Sequence, residues 1–455
     1  MKRMLRTLSG ILLALGILAG ALYAASWLLW PTRAQKQALA EMTAPLPVPA
    51  GRNAFADVWL LRYDLTPAER VRIAADDVER FNRRGAPAFG ADGTVAAETP
   101  GFTSAAEGRY PAERLQDPDR VLCESTGVDC LDKVRAKPEQ VRALLDAHAG
   151  LLQRTRDALE NSDYLRMPFR LTYETPFAIA AMSDGMRLMR TDAAQAFVQG
   201  DHDAGLTRAC RAADAWRRWM REPDLLIDLM MGDAALSGWL DLQGQMLASL
   251  PADVPLPAAC ASLRDPPSLD ERSFCRVVQR EFEFTRSLIE LAGDGAVMQP
   301  GEPGWLTSLA YRKDATLAMM AETRAWHCGG SVRRELLADQ RVSERASPGP
   351  WRLECASNWF GCQLVAMEYP GMTGYLHRLQ DQRSRLNLMA TLLWLREQPV
   401  DGRTLAQRVA ARPVALRQGR DIEVVENRLR VPLFDAGEKT HWELEVPEAV
   451  RQDLG

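Results

Sequence analysis

The chain has 455 residues, of which 47% are apolar and 25% charged, with a formal net charge of -4. That balance excludes a disordered or collagen-like chain, and without a basic surplus a nucleic-acid role is excluded too. Only six of its 56 basic residues are lysines, so the abundant arginines reflect GC-rich bacterial coding and solvated helix faces rather than a binding patch.

Residues 7–32 carry no charged side chain and follow Lys2, Arg3 and Arg6. At about 1.5 Å per residue such a helix crosses a hydrocarbon core roughly 30 Å thick. The positive-inside rule keeps the basic tip in the cytoplasm and sends the rest of the chain across, with Tyr23, Trp27 and Trp30 in the far interface. The expected location is therefore the bacterial inner membrane, single-pass, with the bulk of the chain periplasmic. The alternative is a signal peptide cut after Ala21 or Ala25, but the apolar run continues through Ser26, Trp27, Leu28, Leu29 and Trp30, which favours retention. The first cysteine is Cys123, so an N-terminal lipid anchor on cysteine is excluded. Gly16, Gly20 and Ala24 repeat at four-residue spacing and offer a face for homodimerisation through the anchor.

The reading divides the chain into a tip and anchor over 1–33, a Pro-rich spacer over 34–51, a helical domain over 52–400 and a small β element over 401–455. Residues 43–51 are too rich in proline for helix. Asn53 caps a short apolar helix over 54–61. Thr66, Pro67 and Glu69 start the next, which runs to about residue 84. The Gly-, Ala- and Pro-rich stretch 85–110 reads as a long loop. From 138 to about 395 the apolar period is helical, in antiparallel hairpins. Residues 193–216, turning at Gly200 and Asp201, resemble one tetratricopeptide-like pair without a second copy. Helices are expected over 222–250, from a Ser268 cap with Glu271 to about 291, and up to about 326, separated by breaks at 251–257 and 293–304. Residues 421–425 and 428–433 form a β-hairpin through Glu426 and Asn427, and 441–446 add a third strand packed on a helix over 375–396. The fold class is thus mainly α, an irregular array of helix hairpins after a transmembrane helix, ending in a small antiparallel sheet.

Cys123, Cys130, Cys210, Cys260, Cys275, Cys328, Cys355 and Cys362 all lie beyond the anchor, where an even number of thiols suggests disulfides. Neighbour pairing joins Cys123 to Cys130 and Cys355 to Cys362. It leaves Cys210 with Cys260 and Cys275 with Cys328, although spacing alone leaves connectivity open. The cysteine and histidine spacing fits no zinc site, and neither a metal nor a cofactor is expected.

Strong catalytic motifs are absent: no GxSxG, P-loop, HExxH, SxxK or EF-hand pattern occurs. Three weaker constellations remain. Glu281 and Glu283, near Arg286, are acids that diverge by about 200° on a helix and so cannot share one proton. Structural ion pairing explains them more simply. His327 beside Cys328 evokes a thiolate nucleophile, yet a disulfide is the simpler reading. Asn53, Asp57, Tyr63 and Asp64 are polar members of an apolar segment that capping and a surface edge account for.

The order of anchor, Pro-rich spacer, Asn53-Ala54-Phe55, Leu60-Leu61-Arg62-Tyr63-Asp64, the cysteine pair and the helices from Trp216 to Leu250 resembles uncharacterised single-pass, mostly helical envelope proteins of Gram-negative bacteria. That resemblance implies a periplasm-facing inner-membrane protein and carries over no activity and no catalytic residue. The leading expectation is a membrane-anchored periplasmic interaction or scaffold protein with protein or peptide partners in the envelope. The alternatives are an envelope hydrolase with an acidic site between helices, near Glu281 and the loop 85–108, and a structural anchored protein without ligand.

Overall fold

A computed structural model describes residues 2–84, 101–127, 129–172, 174–177, 179–251, 254–267, 274–292, 309–345, 349, 351–368, 372–399, 401–435 and 440–451. The first helices are α1 (Lys2–Leu29), α2 (Arg33–Met42), α3 (Phe55–Trp59), α4 (Pro67–Arg83), α5 (Cys130–Ala136), α6 (Pro138–Ala147) and α7 (Ala149–Glu160). Next come α8 (Ile179–Val198), α9 (His202–Trp219), α10 (Leu226–Ser249), α11 (Cys275–Ala292), α12 (Lys313–Ala325) and α13 (Gly330–Leu337). The series closes with α14 (Trp359–Glu368), α15 (Met372–Glu397), α16 (Leu405–Ala410) and α17 (Glu448–Arg451), with strands β1 (Glu423–Val425), β2 (Arg428–Pro432) and β3 (His441–Glu445) before the last helix. The fold is mainly helical with a small C-terminal antiparallel sheet, as the periodicity requires. The Ser268 cap and the 293–304 loop lie outside the described residues, as do residues 85–100 of the long loop.

Within α1, the 23 residues Thr7–Leu29 have a hydropathy of 2.1 and are long and apolar enough to cross a membrane. Leu8, Leu15 and Leu22 are exposed along its shaft. Its last turn is different. Ser26 is 0% exposed. Its hydroxyl donates to the Glu354 carbonyl (3.0 Å), accepts from the Ser357 N–H (3.1 Å) and meets the Ser357 hydroxyl at 2.7 Å. Thr32 then opens α2 with a capping box to Gln35, and the Gln35 amide donates to Glu322 of α12 at 3.1 Å. Residues 34–42, expected in the spacer, are therefore a docked helix. The cap supplies its start, and Gln35, Ala38 and Met42, at three- and four-residue spacing, supply its buried stripe. The proline-rich remainder is held as well, for Arg276 of α11 donates to the Pro47 carbonyl at 2.7 Å.

One continuous hydrophobic core runs from Ala38 to Val450. α8 and α9 form the helix hairpin expected from their apolar period, turning through Gly200 at φ +91°. Gly205 brings them close: a side-chain carbon there would stand 2.9 Å from the Ala193 carbonyl oxygen. Phe55, Phe81, Phe102 and Trp59 pack edge to face around Phe169 near α3 and α4, and Trp59 stacks on Phe102, so residue 102 pins the end of the long loop. Asp77 fixes that loop end further, accepting from the Ser104 hydroxyl at 2.5 Å and the Ala105 N–H at 2.8 Å.

The cysteine sulfurs stand at disulfide distance in four pairs: Cys123 with Cys130, Cys210 with Cys260, Cys275 with Cys328, and Cys355 with Cys362. The sheet has the order β1-β2-β3, with Glu423 opposite Arg430 and Arg430 opposite Glu443. Leu429, Val431 and Leu444 enter the core, where β2 and β3 pack on α15 and β3 also on α10.

Candidate functional site

α10 is apolar around most of its circumference because it lies in the middle of the fold. One stripe breaks that rule. Met230, Asp233, Ala234, Ser237 and Asp241 recur at three- and four-residue spacing and face a cleft of about 1260 Å³. α15 presents a matching stripe, Arg378, Asp381 and Arg385, to the same cleft, and β2, β3 and the loop at Thr126 and Gly127 complete its walls.

Two glycines on α10 set the walls in place. At Gly238 a side-chain carbon would stand 2.0 Å from the Ser125 carbonyl oxygen, and at Gly244 it would stand 2.6 Å from the Leu444 side chain. Glycine is required at Gly238, where the approaching atom is backbone, whereas at Gly244 it is the end of a flexible leucine side chain. Buried Arg190 holds the loop, donating to the carbonyls of Glu124 at 2.6 Å and Gly127 at 2.5 Å. The Cys123–Cys130 pair closes the same loop. On the opposite wall, the Trp442 indole donates to Asp241 at 2.8 Å.

Asp381 is committed to structure: it accepts from Arg420 at 2.6 Å and from the N–H groups of Phe434 and Asp435 at 2.7 and 2.8 Å. Arg378 pairs with Asp435 at 2.5 Å. Two charged groups of the cleft lack an ion-pair partner among the described residues. Asp233 has neither a hydrogen bond nor an ion pair among the described residues, and its Oδ1 is shielded from solvent. Arg385 donates to the Ser237 hydroxyl at 2.6 Å and weakly to Gln382 at 3.5 Å, while its Nε has no acceptor and it forms no ion pair among the described residues. Burial pushes the Asp233 carboxyl up to about 6, the pull of Arg385 being outweighed. The cleft thus offers a carboxyl that exchanges its proton near pH 6 beside a guanidinium with donor capacity to spare. Such a pair can receive a ligand bearing both cationic and acceptor groups.

The residues singled out from sequence lie elsewhere. Glu281 accepts from the Leu226 N–H at 2.9 Å and so caps the start of α10. Glu283 closes on Arg280, which also reaches Asp224 at 3.1 Å. Asp228, in the same buried cluster, has its carboxyl raised to about 7, by burial first and then by Asp224. The structure brings Glu281 and Glu283 to this structural cluster and not to the cleft. His327 is buried against Phe274 and Trp326 and faces the Arg324 carbonyl at 3.2 Å; burial lowers it to about 4, so it stands neutral. Cys328 is paired with Cys275. Asn53 ties the chain to Arg166, donating to its carbonyl and accepting from its N–H, and Asp57 bridges Arg52 and Arg70. Tyr63 is half-buried and Asp64 exposed. Gly16 and Gly20 face open space along α1. Tyr23 and Trp30 are half-buried, and Arg312 covers the ring of exposed Trp27 at 5.1 Å.

No group of three or more metal-ligating side chains gathers among the described residues. Sequence reasoning missed the cleft, although one signal was present: Asp233, Ser237 and Asp241 at strict four-residue spacing in an otherwise Leu- and Met-rich helix. Comparison with protein-family models, with curated proteins and with solved structures finds no match to this chain.

Proposed function

We propose that this protein is a membrane-anchored binding protein of the bacterial envelope, with its domain on the periplasmic side of the inner membrane and its cleft open to a polar partner segment. The observation that carries the reading is that Asp233 and Arg385, both lining the cleft, have no ion-pair partner among the described residues, whereas Arg378 and Asp381 are paired. At about 1260 Å³ the cleft exceeds the 300–1,000 Å³ typical of small-molecule pockets, which favours an extended peptide or polymer segment. Retention of the anchor is supported by Ser26: cleavage after Ala25 would place a new ammonium on a residue that is fully buried and lies against Arg312. Cysteine pairs at disulfide distance support an oxidising compartment.

A second reading, an envelope hydrolase, gains one specific observation and loses another. Asp233 has the proton affinity of a general acid or base near pH 6, while Glu281 and Glu283 are spent on a helix cap and an ion pair. The test is photocrosslinking from position 230, on the cleft wall, in the full chain within the membranes of its own host. The binding reading expects a discrete adduct that falls at least tenfold when Asp233→Asn and Arg385→Met are combined. An adduct indifferent to both substitutions, or no adduct, would sink it.

A further inference from the structure

Trp351 is 88% exposed. A tryptophan so exposed is unusual for a surface in water. Its ring leans on Trp359 at 5.2 Å, and exposed Leu353 follows two residues later. Glu354 and Ser357 then hold Ser26, in the last turn of α1, where Trp27, Leu28 and Leu29 are exposed too. Arg312 bridges both sides, covering the Trp27 ring and reaching the Ser26 carbonyl on α1 and the Ser357 hydroxyl opposite.

We infer that this face, Trp351, Leu353 and the exposed last turn of α1, is seated in the lipid headgroup layer, so that the domain lies on the bilayer in one fixed orientation. The inference rests on the anchored reading above and adds a second membrane contact to it. The geometry leaves little choice once α1 spans. Three residue steps lead from Trp351 to Glu354, a reach of at most about 11 Å along the chain. An interfacial element sinks roughly 5–10 Å into the headgroup and acyl boundary, the depth at which a spanning helix must end. Because Ser26 is buried in the domain and α2 follows within a few residues as a docked helix, no slack exists to lift the domain away. The patch also has the composition of an interface, tryptophans beside Arg312 and Arg352.

The test uses the full chain reconstituted in vesicles of phosphatidylethanolamine and phosphatidylglycerol, with p-benzoylphenylalanine replacing Trp351 in one sample and Val414, 75% exposed, in another. Lipid adducts at position 351 at least tenfold above those at 414 are expected. Equal yields at the two positions, in a chain that resists alkaline carbonate extraction, would overturn the seated face and leave the anchor standing. Release of the chain by carbonate would overturn the anchor and the seated face together.

Discussion

Asp233 places a carboxyl in a cleft wall with no hydrogen-bond partner among the described residues, an arrangement that costs the fold stability rather than adding to it. With its pKa raised from 3.8 to about 6, the folded chain holds this proton more tightly than the unfolded chain does. Stability from this group therefore falls as pH rises from about 4 to 6, by up to roughly 3 kcal/mol, and stays lost above that range. Asp233→Asn should raise unfolding free energy by about 1–3 kcal/mol at pH 8 and leave it unchanged at pH 4, measured by denaturant titration. A loss of stability at pH 8 would mean that the carboxylate has a structural partner. His327 works in the opposite sense. Its depressed pKa leaves stability complete above about 6.5 and removes it as pH falls through about 4, so an NMR titration should find the ring neutral at pH 6. A midpoint near 6.5 would show that the ring is solvated.

At the scale of elements, the loop over Thr126 and Gly127 is fixed by one arginine and one cysteine pair. Arg190→Met would strand the carbonyls of Glu124 and Gly127, costing roughly 2–4 kcal/mol and loosening that cleft wall. Amide exchange over residues 124–127 should accelerate in this variant; unchanged protection would show that the Cys123–Cys130 closure suffices alone. The pairs differ in reach. Cys210 and Cys260 close a separation of 50 residues and Cys123 and Cys130 one of 7, so by chain entropy serine at both members should cost roughly 4 kcal/mol in the first case and roughly 2.5 kcal/mol in the second. Equal losses, read from chemical denaturation midpoints, would contradict the entropic account. Much at this scale was legible in sequence. The α8 and α9 hairpin, the Thr66 capping box and the three terminal strands all follow from local signals of period, cap and turn. The α2 helix was hidden because its proline-rich continuation set the character of the whole segment.

Across the whole molecule, the end of α1, the docked α2, the held proline segment and the core form one continuous structure instead of a domain on a tether. Sequence conveyed the long apolar helix and the helical class, since both are written in local hydropathy. It did not convey the cleft, because Asp233 and Arg385 are 152 positions apart and meet only through the packing of α10 on α15. Nor did it separate acids spent on structure from those without a partner among the described residues: Glu281 and Asp233 look alike until the Leu226 N–H is seen to occupy the first. We propose a retained anchor carrying an oxidised, outward-facing domain. Intact-mass spectrometry of the membrane-extracted, unreduced protein tests it most directly. The mass should include residues 7–32 and should rise by eight hydrogens when the four cysteine pairs are reduced. A chain shortened at Ala21 or Ala25, or one carrying eight free thiols, would contradict it.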